Sequence, residues 1–263
     1  MAVVTFIKQH ISTTNASTYT FSSTSTGGAN DVGATASDRQ IIIGAALGAT
    51  ATQSRTISSV TAGGVTMTNP VVVSGTRSST ATGVHTLCNG MYHVLFASAT
   101  NADVVLTATT TVGNACVAIW SATEIAATAT FGFTFSTGFS SATTGNMTAT
   151  IGTNGAIFFH SLIVPSSLTT TWSTATGIFD VTVESGDEKH SGAVSQVSGT
   201  TTVQASANAF MGAVFLAFDS ASATSAPSTE ELYRTFLPMH TAAVGHRPLM
   251  ASIREHFYEW CPV

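Results

Sequence analysis

The chain has 263 residues, of which 44% are hydrophobic and only 8% are charged, with a formal net charge of -5. A disordered chain has few apolar residues and much charge, so this composition excludes disorder and indicates a full hydrophobic core. Lys8 and Lys189 are the only lysines, so no basic stripe can neutralise a phosphate backbone, and nucleic-acid binding is not expected. We also expect no membrane span and no secretory signal, because the apolar runs are too short and the first residues lack the signal pattern.

Strand-like runs recur along residues 1–219, which we treat as the body of the protein. Each run is rich in β-branched residues and is bounded by Gly, Asn or Ser, whereas helical periodicity is almost absent. The predicted strands are 3–11, 18–21, 40–47, 56–60, 65–67, 71–73, 91–97, 104–109, 115–120, 131–135, 147–151, 156–163, 169–172, 179–183, 192–197, 201–205 and 212–218. These runs predict an all-β body, a β-sandwich whose strands fill two sheets.

Short polar segments between the runs predict turns and loops. Ala62-Gly63-Gly64-Val65 separates two β-branched runs and predicts a hairpin, since Gly supplies the positive φ that such turns require. Asn154-Gly155, just before the run 156–163, predicts a second hairpin. Residues 185–190 hold the only dense cluster of charges in the body and are predicted to form an exposed loop.

The body contains a weak internal similarity. Residues 105–120 resemble residues 203–218, because each segment has the pattern of two strands that end in an aromatic residue. An apolar strand, 40–47 or 156–163, precedes each of them. Because the spacing differs, we predict two similar halves of one sandwich and not a tandem repeat. Two four-stranded halves are typical of a jelly roll.

The end of the chain has a different composition, rich in charged, His and large apolar residues. Residues 220–227 are a predicted linker, and residues 228–263 are predicted to form a short C-terminal α-helical arm. Ser228 followed by Glu231 is a capping-box pattern that begins a first helix, and Pro238 ends it. A second amphipathic stretch completes the arm.

Each predicted helix of the arm has an apolar stripe. The residues that we predict to dock on a partner are Leu232, Phe236, Leu249, Ile253, Phe257 and Trp260. Helices this short are marginal in water and need a surface that buries the stripe. The pattern leaves two alternatives open: the helices fold back onto the body, or they dock on another subunit.

No segment of the body carries a catalytic pattern. Serine is too frequent for a triad to be recognised, and no Gly-x-Ser-x-Gly elbow stands between a strand and a helix. The carboxylates that stand close together are Asp180, Glu184, Asp187 and Glu188, which could form a glycosidase pair. Their position beside the predicted loop 185–190 favours a solvated face instead. We therefore predict a protein that is not an enzyme.

Metal-ligand residue types occur together at one place. His85, Cys88 and His93 lie within nine positions, but structural zinc needs four ligands with paired short spacings, and no second pair follows. We interpret them as strand and loop residues and predict no metal and no cofactor. Cys88 and Cys116 are predicted to be reduced thiols inside strands.

Two tryptophans raise the alternative of glycan binding. Trp120 ends an apolar strand and is predicted to be a core residue. Trp172 stands among threonines and is the better candidate for an exposed ring on which a sugar stacks. Packing in the core or at a sheet edge is the competing interpretation of Trp172.

Three segments carry a resemblance to a known class of proteins: Ser37-Asp38-Arg39-Gln40-Ile41-Ile42-Ile43-Gly44, Val60-Thr61-Ala62-Gly63-Gly64-Val65, and Thr171-Trp172-Ser173 with Gly177. They resemble Ser/Thr/Gly-rich β-sandwich virion proteins of tailed bacteriophages, and the resemblance spans most of residues 3–219. It implies a non-enzymatic capsid decoration or cement protein on the virion surface, assembled in the host cytoplasm.

The implied partners are other virion proteins, either the major capsid protein or neighbouring subunits. A charge-poor, hydroxyl-rich surface suits repeated contact between identical subunits, so a homo-oligomer is expected. The alternative is a tail or head-spike adhesion module that binds host glycans.

Overall fold

The computed structural model describes residues 1–22, 30–50, 56–79, 83–135, 139–184 and 188–221. All of them belong to the first of two units into which the chain divides, Met1–Ala221. These residues are all-β and contain no helix. It follows that no helix among them is long and apolar enough to cross a membrane.

The described part of the chain contains sixteen strands. In chain order they are β1 (Val3–Ser12), β2 (Ala16–Phe21), β3 (Gln40–Thr50), β4 (Ile57–Ala62), β5 (Val65–Thr66), β6 (Thr68–Ser79), β7 (Gly83–Leu95), β8 (Val104–Val112), β9 (Asn114–Thr123), β10 (Thr130–Phe133), β11 (Ser140–Ala149), β12 (Ala156–Val164), β13 (Thr170–Trp172), β14 (Thr176–Glu184), β15 (Glu188–Ser195) and β16 (Gly199–Phe218). Every predicted run overlaps one of them, and the runs 201–205 and 212–218 are parts of the single strand β16.

The strands form three antiparallel sheets, where the sequence predicts two. Sheet I has the order β1-β9-β3-β7-β6, and sheet III has the order β2-β8-β4-β5. Sheet II has the order β10-β16-β12-β15-β14, and β11 and β13 also pair with β16. The prediction of two sheets is therefore wrong.

Sheet I is the middle layer because both of its faces are buried. Ile41 and Ile43 on β3 belong to the core shared with sheet III, whereas Ile42 belongs to the core shared with sheet II. Every residue from position 40 to 48 is buried. A strand covered on both faces needs a continuous apolar run and not an alternating one, which is what this segment provides.

A third core lies on the outer face of sheet II, where Phe159 and Phe215 pack with Val203. The first part of the twenty-residue β16 pairs with β13 and most of β11, and its second part pairs with β10 and β12. Residues 206–208, between the two parts, are exposed. Sheet II therefore folds back across its own outer face.

The two halves of the body repeat one strand order. If the two-residue β5 is set aside and β16 is counted as two parts, each half has eight strands. In the first half β9 lies between β1 and β3, just as the second part of β16 lies between β10 and β12 in the second half. Similarly, β7 lies between β3 and β6, and β15 lies between β12 and β14. Likewise β2 and β4 flank β8, as β11 and β13 flank the first part of β16. Each half is thus a layered unit of its own, which corrects the prediction of two halves of one sandwich.

One of the two predicted hairpins is present. Gly63 and Gly64, with φ of +55° and +80°, connect β4 to β5 and confirm the first. Asn154 also has a positive φ, +68°, and forms a turn. The second predicted hairpin is nevertheless wrong, because β11 and β12 both pair with Met211 of β16 from opposite edges and not with each other.

The predicted C-terminal arm, 228–263, lies outside the described residues, as do its six predicted docking residues and positions 222–227 of the predicted linker. The first two linker residues are described. Ser220 forms a bridge with Ile125, and the backbone N of Ala221 donates to the carbonyl oxygen of Glu124 at 2.9 Å. The chain is therefore fixed to the body as far as Ala221.

Candidate functional site

Two glycines on β3 leave space between sheets I and II for polar side chains. A Cβ atom built on Gly44 would lie 2.6 Å from Cγ of His160 on β12, and Gly48 lies against the carboxylate of Glu188 on β15. His160 and Glu188 are only 0% and 1% exposed. The missing side chains on sheet I thus make room for an imidazole and a carboxylate from sheet II.

Asn89 on β7 joins the two sheets through His160. Its Nδ2 donates to the backbone oxygens of His160 at 3.1 Å and of Gly212 at 3.2 Å. Because Nδ2 is the donor, Oδ1 must be the acceptor, and His160 Nδ1 at 2.6 Å carries the proton. His160 Nε2 is then a buried acceptor, and it has no hydrogen-bond partner among the described residues.

His190 on β15 is a second buried imidazole. Its ring centroid lies 5.4 Å from that of His160, and neither of its nitrogens has a hydrogen-bond partner in the described ranges. Burial lowers the pKa of His190 well below its usual value, and His160 lowers it further. Burial also lowers the pKa of His160 to about 3. Both rings are therefore neutral near pH 7.

Cys116 on β9 extends this polar group on the side of sheet I. Burial raises the pKa of the Cys116 thiol, and the carboxylate of Glu188 raises it further. Cys116 is completely buried and is a free cysteine. The thiol therefore stays protonated, and it faces the same space as Glu188.

We call Asn89, Cys116, His160, Glu188 and His190 the interlayer cluster. All five side chains are closed to solvent, since none is more than 1% exposed. Within the described part of the chain, no three His, Cys, Asp or Glu side chains are placed to hold a metal. The chemistry open to the cluster is a change of charge, because a proton added to either imidazole would put a cation where no water solvates it.

The sequence prediction placed part of this cluster on the surface. Glu188 and His190 belong to β15 and are buried, so the predicted exposed loop 185–190 and the solvated face are wrong for both residues. The missed signal is a period of two: extending the predicted strand 192–197 backwards puts positions 188, 190 and 192 on one face. Glu188 and Lys189 concealed this strand, because Glu and Lys are uncommon in strands.

Asp180, another of the close carboxylates, does not join the cluster. Asp180 on β14 accepts a hydrogen bond from Lys189 Nζ at 3.0 Å and another from the backbone N of Thr170 at 3.3 Å. The side chain of Glu184 and the whole of Asp187 lie outside the described residues. Asp180 is thus part of a surface ion pair.

His85, Cys88 and His93 all lie on β7. Cys88 belongs to the core between sheets I and III, whereas the His93 ring meets Phe218 edge-on at 5.2 Å in the core between sheets I and II. The side chain of His85 lies outside the described residues. Cys88 and His93 therefore point to opposite faces of sheet I and cannot share a metal. Burial raises the pKa of Cys88 to about 11.

The two tryptophans have different surroundings. Trp120 is completely buried between sheets I and II, as predicted, with its ring 6.1 Å from that of Phe158. Trp172 on β13 is half-buried: its Nε1 donates to Ser191 Oγ at 2.6 Å, and its ring lies 5.6 Å from that of Phe159. Trp172 thus packs on the outer core of sheet II, and its role in stacking a sugar stays a prediction.

A surface groove of about 630 Å³ lies between β1 of sheet I and β14 and β15 of sheet II. Four large apolar side chains at this groove are exposed: Met1 (69%), Val3 (55%), Ile178 (37%) and Val197 (71%). Among the described residues that line the groove, none has a charged side chain, and the polar ones carry hydroxyl groups or an amide. We call this surface the apolar groove.

No protein-family model, no curated protein and no solved structure matches this chain. The resemblance to phage β-sandwich proteins therefore stays a prediction. Its three segments lie in and beside β3, around the turn from β4 to β5, and in and after β13. The apolar groove and the interlayer cluster are the two features of the described residues from which a function can be inferred.

Proposed function

We propose that this protein is a non-enzymatic structural component of a bacteriophage virion, a capsid decoration or cement protein held by contacts between subunits. The apolar groove is the observation that supports this proposal most directly. Large apolar side chains gathered at one exposed place are typical of a surface that another protein covers. The partner is the major capsid protein or a neighbouring copy of the chain.

The position of the groove also supports a contact between subunits. β1 is at one edge of sheet I, and β14 is at one edge of sheet II. The outer backbone groups of an edge strand can pair with a strand from another chain. Val3 and Ile178 expose apolar side chains on these two strands. Backbone pairing and apolar burial are therefore both available at one site.

The low charge of the chain supports close packing of many copies. Charged residues make up 8% of the chain, and the formal net charge is -5. Repulsion between copies rises with their net charge, so a chain with few charges can be packed at high density on a particle. The homo-oligomer and the location on the virion surface belong to this same proposal.

We also propose that each half of the body is a jelly roll. In the first half β1 pairs with β9 in one layer, and β2 pairs with β8 in the other. In the second half β10 pairs with the second part of β16, and β11 pairs mainly with its first part. Two interleaved Greek keys are expected to bring distant strands together in this way. The repeated order supports a body built from two units of this kind.

The proposal is tested by locating and counting the chain in purified virus particles. Copies per particle are measured by quantitative mass spectrometry, and their position by electron microscopy. We expect a fixed stoichiometry for the natural chain and about a tenfold loss of bound copies for Val197→Glu, since an unpaired charge would be buried at the contact.

Val65→Glu is the matched control for this experiment. Val65 on β5 is 45% exposed and does not line the apolar groove, so this variant should be incorporated normally. Intact particles that contain no copies of the chain would contradict the proposal. Equal incorporation of both Glu variants would show that the apolar groove is not the contact site.

A further inference from the structure

We propose that His160 and His190 form an acid-sensitive joint between sheets I and II, which loosens when the solution becomes more acidic than about pH 6. The two imidazoles lie at the centre of the packed interface, on the neighbouring strands β12 and β15. The apolar core between the sheets surrounds them and keeps water away. This inference does not depend on the proposed role in a virion.

The surroundings of the two rings favour their neutral forms. Neutral His160 has one N–H, which Asn89 Oδ1 accepts at 2.6 Å. Protonation would add a second N–H at His160 Nε2, and it would leave both nitrogens of His190 carrying an N–H. None of these three nitrogens has a hydrogen-bond partner within the described residues. A buried donor without an acceptor costs more than a hydrogen bond usually contributes, so either protonation favours separation of the sheets.

Among the described residues, the two rings have no side-chain hydrogen-bond partner other than Asn89. The titratable side chains on the same inner faces are Glu188 on β15, Cys116 on β9 and His93 on β7. The neutral groups there are Asn89, Phe179 and the two glycines of β3. Glu188 is the one carboxylate among the described side chains there, and it acts on Cys116. Glu184 pairs with Glu188 across β14 and β15, and its side chain lies outside the described residues. The pKa of His190 is lowered by burial and by His160, so the two rings also oppose each other's protonation.

The direction of the pH effect follows from the lowered pKa values. A solvated histidine has a pKa of about 6.5, whereas that of folded His160 is about 3. The loosened state therefore binds protons that the folded state does not, and stability is lost as the pH falls below about 6.5. Well below that value, each buried histidine lowers the equilibrium constant for closing about tenfold per pH unit.

The test compares the pH dependence of unfolding of the full chain with that of variants that lack the titrating rings. His190→Met removes a ring that makes no hydrogen bond to the described residues, and His160→Asn retains an N–H donor for Asn89. Denaturant unfolding is measured between about pH 7 and pH 5, where most carboxylates do not yet titrate. Near pH 5, each single variant should reduce the slope of the logarithm of the unfolding equilibrium constant against pH by about one, and the double variant should reduce it by about two.

His10→Gln is the control for loss of a histidine elsewhere. His10 is only partly buried, and its Nε2 lies 2.6 Å from Asn30 Oδ1, so its removal should change the slope by less than either cluster variant. If a cluster variant does not fold, amide hydrogen exchange of the natural chain supplies the readout. Exchange in β12 and β15 should accelerate between pH 6 and 5, relative to the intrinsic rate, while β4 and β8 of sheet III stay protected.

Three results would overturn the proposal. The first is an identical slope for the natural chain and the double variant. The second is an NMR titration in which both rings protonate near pH 6.5 without opening of the sheets, which would show that they are solvated or that Glu188 neutralises them. The third is uniform loss of amide protection in all three sheets, which would show general acid unfolding.

Discussion

Gly44 and His160 face each other across the interface between sheets I and II, and a side chain on Gly44 would overlap the imidazole. A Cβ atom there would lie 2.6 Å from His160 Cγ and 2.7 Å from Cδ2. His160 cannot move away easily, because Asn89 holds both its ring and its backbone oxygen. A glycine on one half of the body is thus matched to a histidine on the other.

Gly44→Ala should therefore destabilise the body. We expect the free energy of unfolding to fall by about 1–3 kcal/mol, which is the usual cost of overpacking a core, as measured by urea denaturation at neutral pH. Gly177→Ala on β14 is the control, since its Cβ would lie at an ordinary 3.6 Å from Trp172 Cδ1. We expect a change of less than about 0.5 kcal/mol there. Equal losses in the two variants would show that Gly44 is not a point of close packing.

Asn89→Ala should cost about 2–3 kcal/mol of unfolding free energy, because it leaves His160 Nδ1 and two backbone oxygens without their buried partner. Thermal and urea unfolding both measure this loss. Asn101→Ala is the control: Asn101 is exposed, and its side chain makes one 3.5 Å contact with Thr100 Oγ1. A cost for Asn89→Ala no larger than that for Asn101→Ala would mean that the amide does not tie the sheets together.

Cys88 and Cys116 should resist thiol reagents in the folded protein. At pH 8 a thiol with a pKa of about 11, as for Cys88, is about one thousandth ionised, and burial denies access as well. In a Cys261→Ser background we expect no labelling faster than global unfolding, and prompt labelling of two thiols in denaturant. Rapid labelling of the native protein would place one of these cysteines at an accessible site.

A chain that ends after Ala221 should still fold cooperatively. The described members of the three hydrophobic cores all precede position 219, and the backbone is fixed to Glu124 as far as Ala221. We expect a single sharp thermal transition with an intact near-ultraviolet signal from Trp120. A broad melt without that signal would mean that residues 222–263 complete the fold.

The strands could be predicted from the sequence because each β-branched run is a local property of the chain. The number of layers could not be predicted. The continuous apolar run of β3 indicates a strand that is buried on both faces, but such a strand occurs in many arrangements of sheets. The repeat was hidden because one long strand, β16, does in the second half what β8 and β9 do in the first. The similar pattern of residues 105–120 and 203–218 was visible in the sequence, but the spacing within the two segments differed.

The interlayer cluster lay beyond sequence reasoning for a different reason. Asn89 and His160 are 71 positions apart, and nothing near either residue indicates the other. The glycines of β3 have no distinctive neighbours that would mark them as the floor of a polar site. Only β15 carried a usable signal, the alternation of Glu188, His190 and Gly192, and its charged start concealed it.

The long strand β16 also has a mechanical consequence. It is the last strand of the body, and neighbours hydrogen-bond to both of its edges along much of its length. A force that pulls on the chain beyond Ala221 along this strand would load these bonds in shear, so that many must break together. A strand pulled from a hairpin end gives way one bond at a time. The body should therefore resist extraction by tension applied at this end far better than its thermal stability alone would suggest.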